Sequence, residues 1–134
     1  MATETTHRAS FVVDSFGDEG THSSVDDVNF SRARVEKTFS GDLVGTGTVE
    51  MLASRSPSGG AGYVALERIE GTLAGKTGTF ALLHLGTMDG SGESGHWPIV
   101  PGSGTGELRG VSGTAKIERT EAGEHRMMLT CAWS

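Results

Sequence analysis

Apolar and polar residues alternate with a period of two along most of this chain, the pattern of strands that each cover one face. Arg8 to Phe16 reads as a first strand, with Phe11 and Val13 on one side. From Phe30 to Ser40, the residues Arg32, Arg34, Glu36 and Thr38 alternate with Ala33, Val35, Lys37 and Phe39. Leu43–Ala53, Tyr63–Leu73, Thr77–Thr87, His96–Val100, Thr105–Glu118 and Arg126–Trp133 complete a set of about eight. Turn-forming residues separate them: Gly41-Asp42, Ser54–Gly62, Ala74-Gly75-Lys76, Asp89–Gly92 and Pro101–Gly104. Residues 17–27, polar and glycine-containing, read as a long loop, and residues 1–6 as a flexible N-terminus. An open sheet of consecutive antiparallel strands would leave two unpaired edges, which closure removes. The pattern therefore predicts one domain over 1–134: an all-β, eight-stranded antiparallel up-and-down β-barrel with little or no helix. A barrel of that size has an interior that side chains fill or that holds one small ligand.

Composition supports this reading. Glycine supplies 21 of 134 residues, against a usual share near 7%. Each interior glycine costs a helix about 1 kcal/mol relative to alanine, whereas within strands it permits the sharp coiling a small barrel imposes. The glycines follow no collagen-like period. Seventeen acids against eleven bases leave a net charge of −6, which disfavours nucleic acid and anionic membrane surfaces as partners. The nearest basic cluster, Arg32, Arg34 and Lys37, is interrupted by Glu36 and reads as a solvated strand face. A single cysteine, Cys131, cannot form an intramolecular disulfide. Residues 1–10 lack an apolar segment and no run of 18 apolar residues occurs, so a cytoplasmic location is expected.

Familiar motifs fail on spacing. Gly71 to Thr77 suggests a phosphate loop, but Glu70 stands where its first glycine belongs. Gly102 to Gly106 and Gly92 to His96 miss the dinucleotide and nucleophile-elbow patterns. The five histidines (His7, His22, His84, His96, His125) have no metal-ligand spacing, so neither metal nor cofactor is expected.

More telling are ionisable residues within apolar strands: Glu50, Glu67 and His84, from three consecutive strands. Facing inward, they could meet at one level of the lumen, where an enclosed carboxylate suits acid–base work. In that arrangement Glu50 is the acid–base group, and Glu67 and His84 orient the substrate or tune it. Tyr63, Phe80 and Trp97 shape the wall, with Arg34 and Leu52 as further ligand contacts. Val49, Met51 and Ala53 would then face outward and favour a homo-oligomer. The competing arrangement puts Glu50 or Glu67 outside, paired across a strand with Arg34 or Arg68. Glu67 and Arg68, as neighbours, cannot share a face.

Several ordered blocks carry a resemblance: Phe39–Leu43 with Gly45–Glu50; Glu67-Arg68 with Gly71–Phe80; His84–Thr87; and Val100–Gly110. Over about residues 7–130 the chain resembles the small bacterial proteins grouped as domain of unknown function 3224. That family is similar in fold to plant allene oxide cyclases and dirigent proteins, whose eight-stranded barrels hold an apolar substrate. Gly104–Gly113 resembles their glycine-rich strand entry, although no cyclase active-site motif matches. The resemblance implies a cofactor-independent isomerase or cyclase acting on a small apolar or amphipathic molecule in the lumen. Alternatives are a non-catalytic carrier of small hydrophobic ligands, a carboxylate-dependent hydrolase, and a filled barrel used for assembly.

Overall fold

In a computed structural model, which describes residues 3–134, the strands are β1 (Thr5–Val25), β2 (Val28–Gly41), β3 (Leu43–Arg55), β4 (Ala61–Leu73), β5 (Lys76–Asp89), β6 (Gly92–Pro98), β7 (Val111–Arg119) and β8 (His125–Trp133). Each pairs antiparallel with its neighbour in sequence and β8 returns to β1, so the eight strands close into a barrel as expected.

Several boundaries differ from those the sequence suggests, among them β6, which spans Gly92–Pro98 in place of His96–Val100. Residues 17–25 are strand and not loop: β1 runs on to Val25, paired with β2 as far as Val28, and the turn is only Asp26-Asp27. Both aspartates have positive φ, 51° and 64°, the geometry of a two-residue hairpin turn that matches strand twist. This outer part of the hairpin is exposed on both faces, so no covered side imposes alternation on its sequence. Register shifts at Val13/Ser15, Asp18/Thr21 and Thr21/Ser23 mark bulges along it. At the N-terminus, Thr5 and Thr6 pair with Cys131 and Thr130, so these two are strand and not the flexible segment expected; residues 1–2 lie outside the described residues. Before β7, Gly106–Leu108 form a single 3₁₀ turn. The segment leading into it covers the part of β5 that the short β6 does not reach. Val100 N–H donates to Ala81 O at 2.9 Å, and Thr105 N–H to Thr79 O at 2.8 Å. The sheet edge is thereby satisfied.

The interior is filled at one end only. Leu43, Ile69, Leu73, Phe80, Leu82, Leu108, Val111 and Leu129 pack there, almost wholly shielded from solvent. Phe80 therefore belongs to this core and not to a ligand wall. Burial of each such side chain is worth about 1.5–3 kcal/mol. Gly45, Gly71 and Gly78 stand in register across β3, β4 and β5. A Cβ on any of them would run into a backbone carbonyl: Glu70, Val44 and Thr105 respectively. Backbones approach too closely here for any side chain, which lets the sheet coil around a narrow packed end. Cys131 lies in the same core, where burial pushes its thiol up to about 11 and leaves it a packing group.

Candidate functional site

The other half of the barrel is hollow. A cavity of about 360 Å³ is lined by Phe11, Val35, Lys37, Val49, Met51, Tyr63, Ala65, His84, Trp97, Ile117 and His125, with Val13 and the exposed Phe16 at its side. Its size falls at the lower end of the range for small-molecule pockets.

Strand alternation carries three ionisable side chains into this interior. On β2, Lys37 shares the inward parity of Val35 and Phe39; on β4, Glu67 lies between Ala65 and Ile69; on β5, His84 follows Leu82. All three are buried, Glu67 completely. One carboxylate oxygen, Glu67 Oε1, accepts from His84 Nε2 at 2.7 Å and from Lys37 Nζ at 3.3 Å. His84 reaches Glu67 from the adjacent strand. Lys37 reaches it over the top of β3, at the place where Lys37 pairs with Gly47. A Cβ on Gly47 would collide with Glu67 Oε2 and come within 2.9 Å of Phe39 Cε2. The missing side chain is the opening through which two strands exchange an ion pair.

Removing ions from water is costly unless they are paired, and here each charge has its counterpart. Lys37 Nζ also lies 4.4 Å from the centre of the Phe11 ring, a cation–π contact. Phe11 in turn stacks on His125, with centroids 5.0 Å apart and planes at 24°. An ionised carboxylate only accepts, so the short contact fixes a hydrogen on His84 Nε2 and leaves Nδ1 as the acceptor of the neutral ring. Glu67 Oε2 has no partner among the described residues.

Of the residues singled out from sequence, Glu67 and His84 are brought together, and Tyr63 and Trp97 line the same cavity. Glu50, Arg34 and Leu52 are not part of it. Glu50 lies on the outer face and pairs across the strand with Arg34 at 3.0 Å, both side chains more than half exposed. Leu52 shares that exposed outer face. The expectation of Glu50 inside with Val49 and Met51 outside has the parity of β3 reversed: Val49 is 4% exposed and Met51 lines the cavity. One residue of slip exchanges the two faces of a strand, and β3 carries apolar residues on both. Glu50→Gln is accordingly expected to change stability by less than about 1 kcal/mol in denaturant titration and to leave ligand binding in the lumen unchanged. Lys37, read from sequence as part of a solvated face, is the member that reading missed.

Among the described residues, no group of three or more His, Cys, Asp or Glu side chains is placed to hold a metal ion. Nor is any helix long and apolar enough to cross a membrane.

Comparison with known proteins adds family but no activity. None of the curated proteins matches the chain. A solved crystal structure from Shewanella oneidensis MR-1, described as a protein with unknown function from the DUF3224 family, is similar with a TM-score of 0.87 and 34% sequence identity; the match covers 100% of this chain and 99% of that one. The family model described as protein of unknown function (DUF3224) matches residues 7–131. Sequence and architecture agree from β1 to β8, and the chain belongs to the DUF3224 family.

Proposed function

We propose that the hollow half of the barrel binds a small, mostly apolar molecule and isomerises or cyclises it by cofactor-independent proton transfer. The observation that carries this reading is the fully buried Glu67 carboxylate, bonded to the cavity-lining His84 at 2.7 Å. A carrier would need only the apolar wall; it gains nothing from three ionisable groups desolvated beneath it. Hydrolysis by paired carboxylates lacks its second carboxylate, since Glu50 is outside and the lining residues include no Asp or Glu.

His84 is the group that meets the substrate. Its Nδ1 takes a proton from carbon and later returns it. Glu67 does not line the cavity; it is a positioning residue that holds the ring by Nε2–H and stabilises the imidazolium as it forms, the logic of an Asp–His pair. The apolar wall holds a reactive conformer close to the base. Resemblance to allene oxide cyclases and dirigent proteins supports, by analogy of fold alone, a cofactor-free barrel that holds and steers a small apolar molecule.

Nitrobenzisoxazole, an apolar aromatic whose ring opens when a base removes its C–H proton and the N–O bond breaks, tests this without knowledge of the substrate. The protein is expected to accelerate its opening with saturation kinetics, followed by absorbance of the phenolate product. His84→Ala, shown to be folded by circular dichroism, is expected to lose about 10²-fold or more of that rate. A wild-type rate no greater than that of free imidazole at equal concentration would end the catalytic reading.

A further inference from the structure

Resting on that reading, we infer the class of substrate: a neutral, enolisable carbonyl compound whose oxygen is held by Lys37. The floor of the cavity has few groups still free to bond a ligand. Lys37 has three N–H donors, of which Glu67 Oε1 takes one. The ammonium lies over the Phe11 face and lines the cavity, so it retains donors for a ligand oxygen. The one unpartnered acceptor, Glu67 Oε2, is withheld from a ligand: Glu67 is wholly buried and this oxygen packs against Gly47. The wall adds the unpartnered Trp97 Nε1 donor, the Tyr63 hydroxyl and the His125 ring; beside Glu67, the floor itself offers a cationic donor, Lys37 Nζ, and a basic nitrogen, His84 Nδ1. An oxygen acceptor beside an acidic C–H complements that pair.

Charge separates a ketone from a carboxylic acid. Lys37 and Glu67 already cancel at 3.3 Å, so a carboxylate ligand would bring an uncompensated charge against a largely apolar wall. A neutral carbonyl keeps the balance throughout the reaction. The α C–H bond breaks, its proton goes to His84 Nδ1, and its electron pair delocalises onto oxygen as an enolate. Lys37 stabilises that oxyanion while Glu67 stabilises the imidazolium. Return of the proton to the same or a conjugated carbon completes an isomerisation with no oxidant or co-reactant. Phe11, Tyr63, Trp97 and His125 give the cavity aromatic walls suited to a flat, conjugated body.

Three probes of one shape test the assignment: acetylnaphthalene, naphthoate and ethylnaphthalene, titrated at neutral pH by calorimetry or fluorescence. The ketone is expected to bind roughly tenfold or more tightly than the hydrocarbon, as for a hydrogen bond to a charged donor, and more tightly than the carboxylate. Lys37→Met should abolish the preference for ketone over hydrocarbon; Lys37→Met with Glu67→Gln, which removes both charges, should do the same if the single variant does not fold. Tightest binding of naphthoate, a ketone preference that survives without Lys37, or binding of none of the three overturns the proposal. Deuterium exchange of the ketone's methyl protons in D₂O is a separate readout. A Lys37-dependent ketone preference with no exchange above buffer sinks proton transfer while the carbonyl assignment stands. Exchange that depends on His84 with no ketone preference does the reverse.

Discussion

Replacing Lys37 with methionine is expected to destabilise the fold by about 3–5 kcal/mol, because it strands a fully buried carboxylate. Methionine has nearly the length of lysine and fills the same path across Gly47, so lost volume contributes little. What is lost is the cation that compensates Glu67. His84 remains at 2.7 Å, but Oε2 already lacks a partner among the described residues, and no further donor is at hand. For a chain of this length the loss corresponds to a fall in Tm of about 10–20 °C. The double variant Lys37→Met, Glu67→Gln separates charge from packing. Its floor is neutral, and the amide oxygen introduced in place of the carboxylate can still accept from His84, so most of the lost stability should return. Thermal and denaturant unfolding of wild type, both singles and the double give the coupling directly. Equal midpoints for Lys37→Met and the double variant would show that the pair's charge is not what holds this region together. Whatever stability the pair contributes, it does not account for why three ionisable groups sit beneath an apolar cavity. Hydrophobic residues of similar volume could fill the same space, which is the physical reason for assigning this cluster a chemical role.

How legible the molecule is from its sequence depends on whether a strand has one covered face. On β4 and β5 alternation marks the strand, but Val64, Leu66 and Leu85 make the outer face apolar too, so the side Glu67 takes stays open from sequence. Glu67 and His84 still stand out because each interrupts an apolar stretch of its own strand. The outer β1–β2 hairpin is the opposite case: exposed on both sides, it has no face to record, and its polar residues pass for a loop although they pair as far as Val25 and Val28. Strand β3 repeats the ambiguity of β4. Leu43, Val49 and Met51 turn inward while Val44 and Leu52 turn outward, so hydrophobicity alone leaves its phase open. The cross-strand partnership of Arg34 with Glu50 decides it. Lys37 is readable in principle, because it shares the parity of Val35 and Phe39. Grouping it with Arg32 and Arg34 by charge obscures that parity. The hollow itself is not readable at all: the same inward row is packed solid near Leu43 and open near Met51. Which end closes depends on how near the backbones come, and that is set jointly by glycines on three strands.

Gly47→Ala ties backbone shape to site chemistry, and it is expected to cost about 2–3 kcal/mol, toward the upper part of the usual range for overpacking. Gly47 has no left-handed φ, so alanine suits its backbone and the cost is steric. The added Cβ meets Glu67 Oε2 and lies 2.9 Å from Phe39 Cε2, and neither neighbour has room to withdraw, Phe39 being 1% exposed and Glu67 wholly buried. The carboxylate must turn or retreat, and since both of its bonds converge on Oε1, either movement loosens His84, Lys37 or both. Opening of nitrobenzisoxazole should therefore slow by about 10–100-fold even though alanine never touches the probe, the scale expected when a base is misplaced by about 1 Å. Gly90→Ala is the matched control: its backbone φ is not left-handed and no atom lies within 4 Å of the new Cβ, so both stability and rate should stay near wild type. The decisive comparison repeats Gly47→Ala in a Lys37→Met, Glu67→Ala background, where the obstructing carboxylate is gone. There the stability cost should fall by at least half. An undiminished cost would place the obstruction at Phe39 and make Gly47 a requirement of the core alone; a diminished one identifies this glycine as the opening that lets β2 and β4 share a charge pair beneath the cavity.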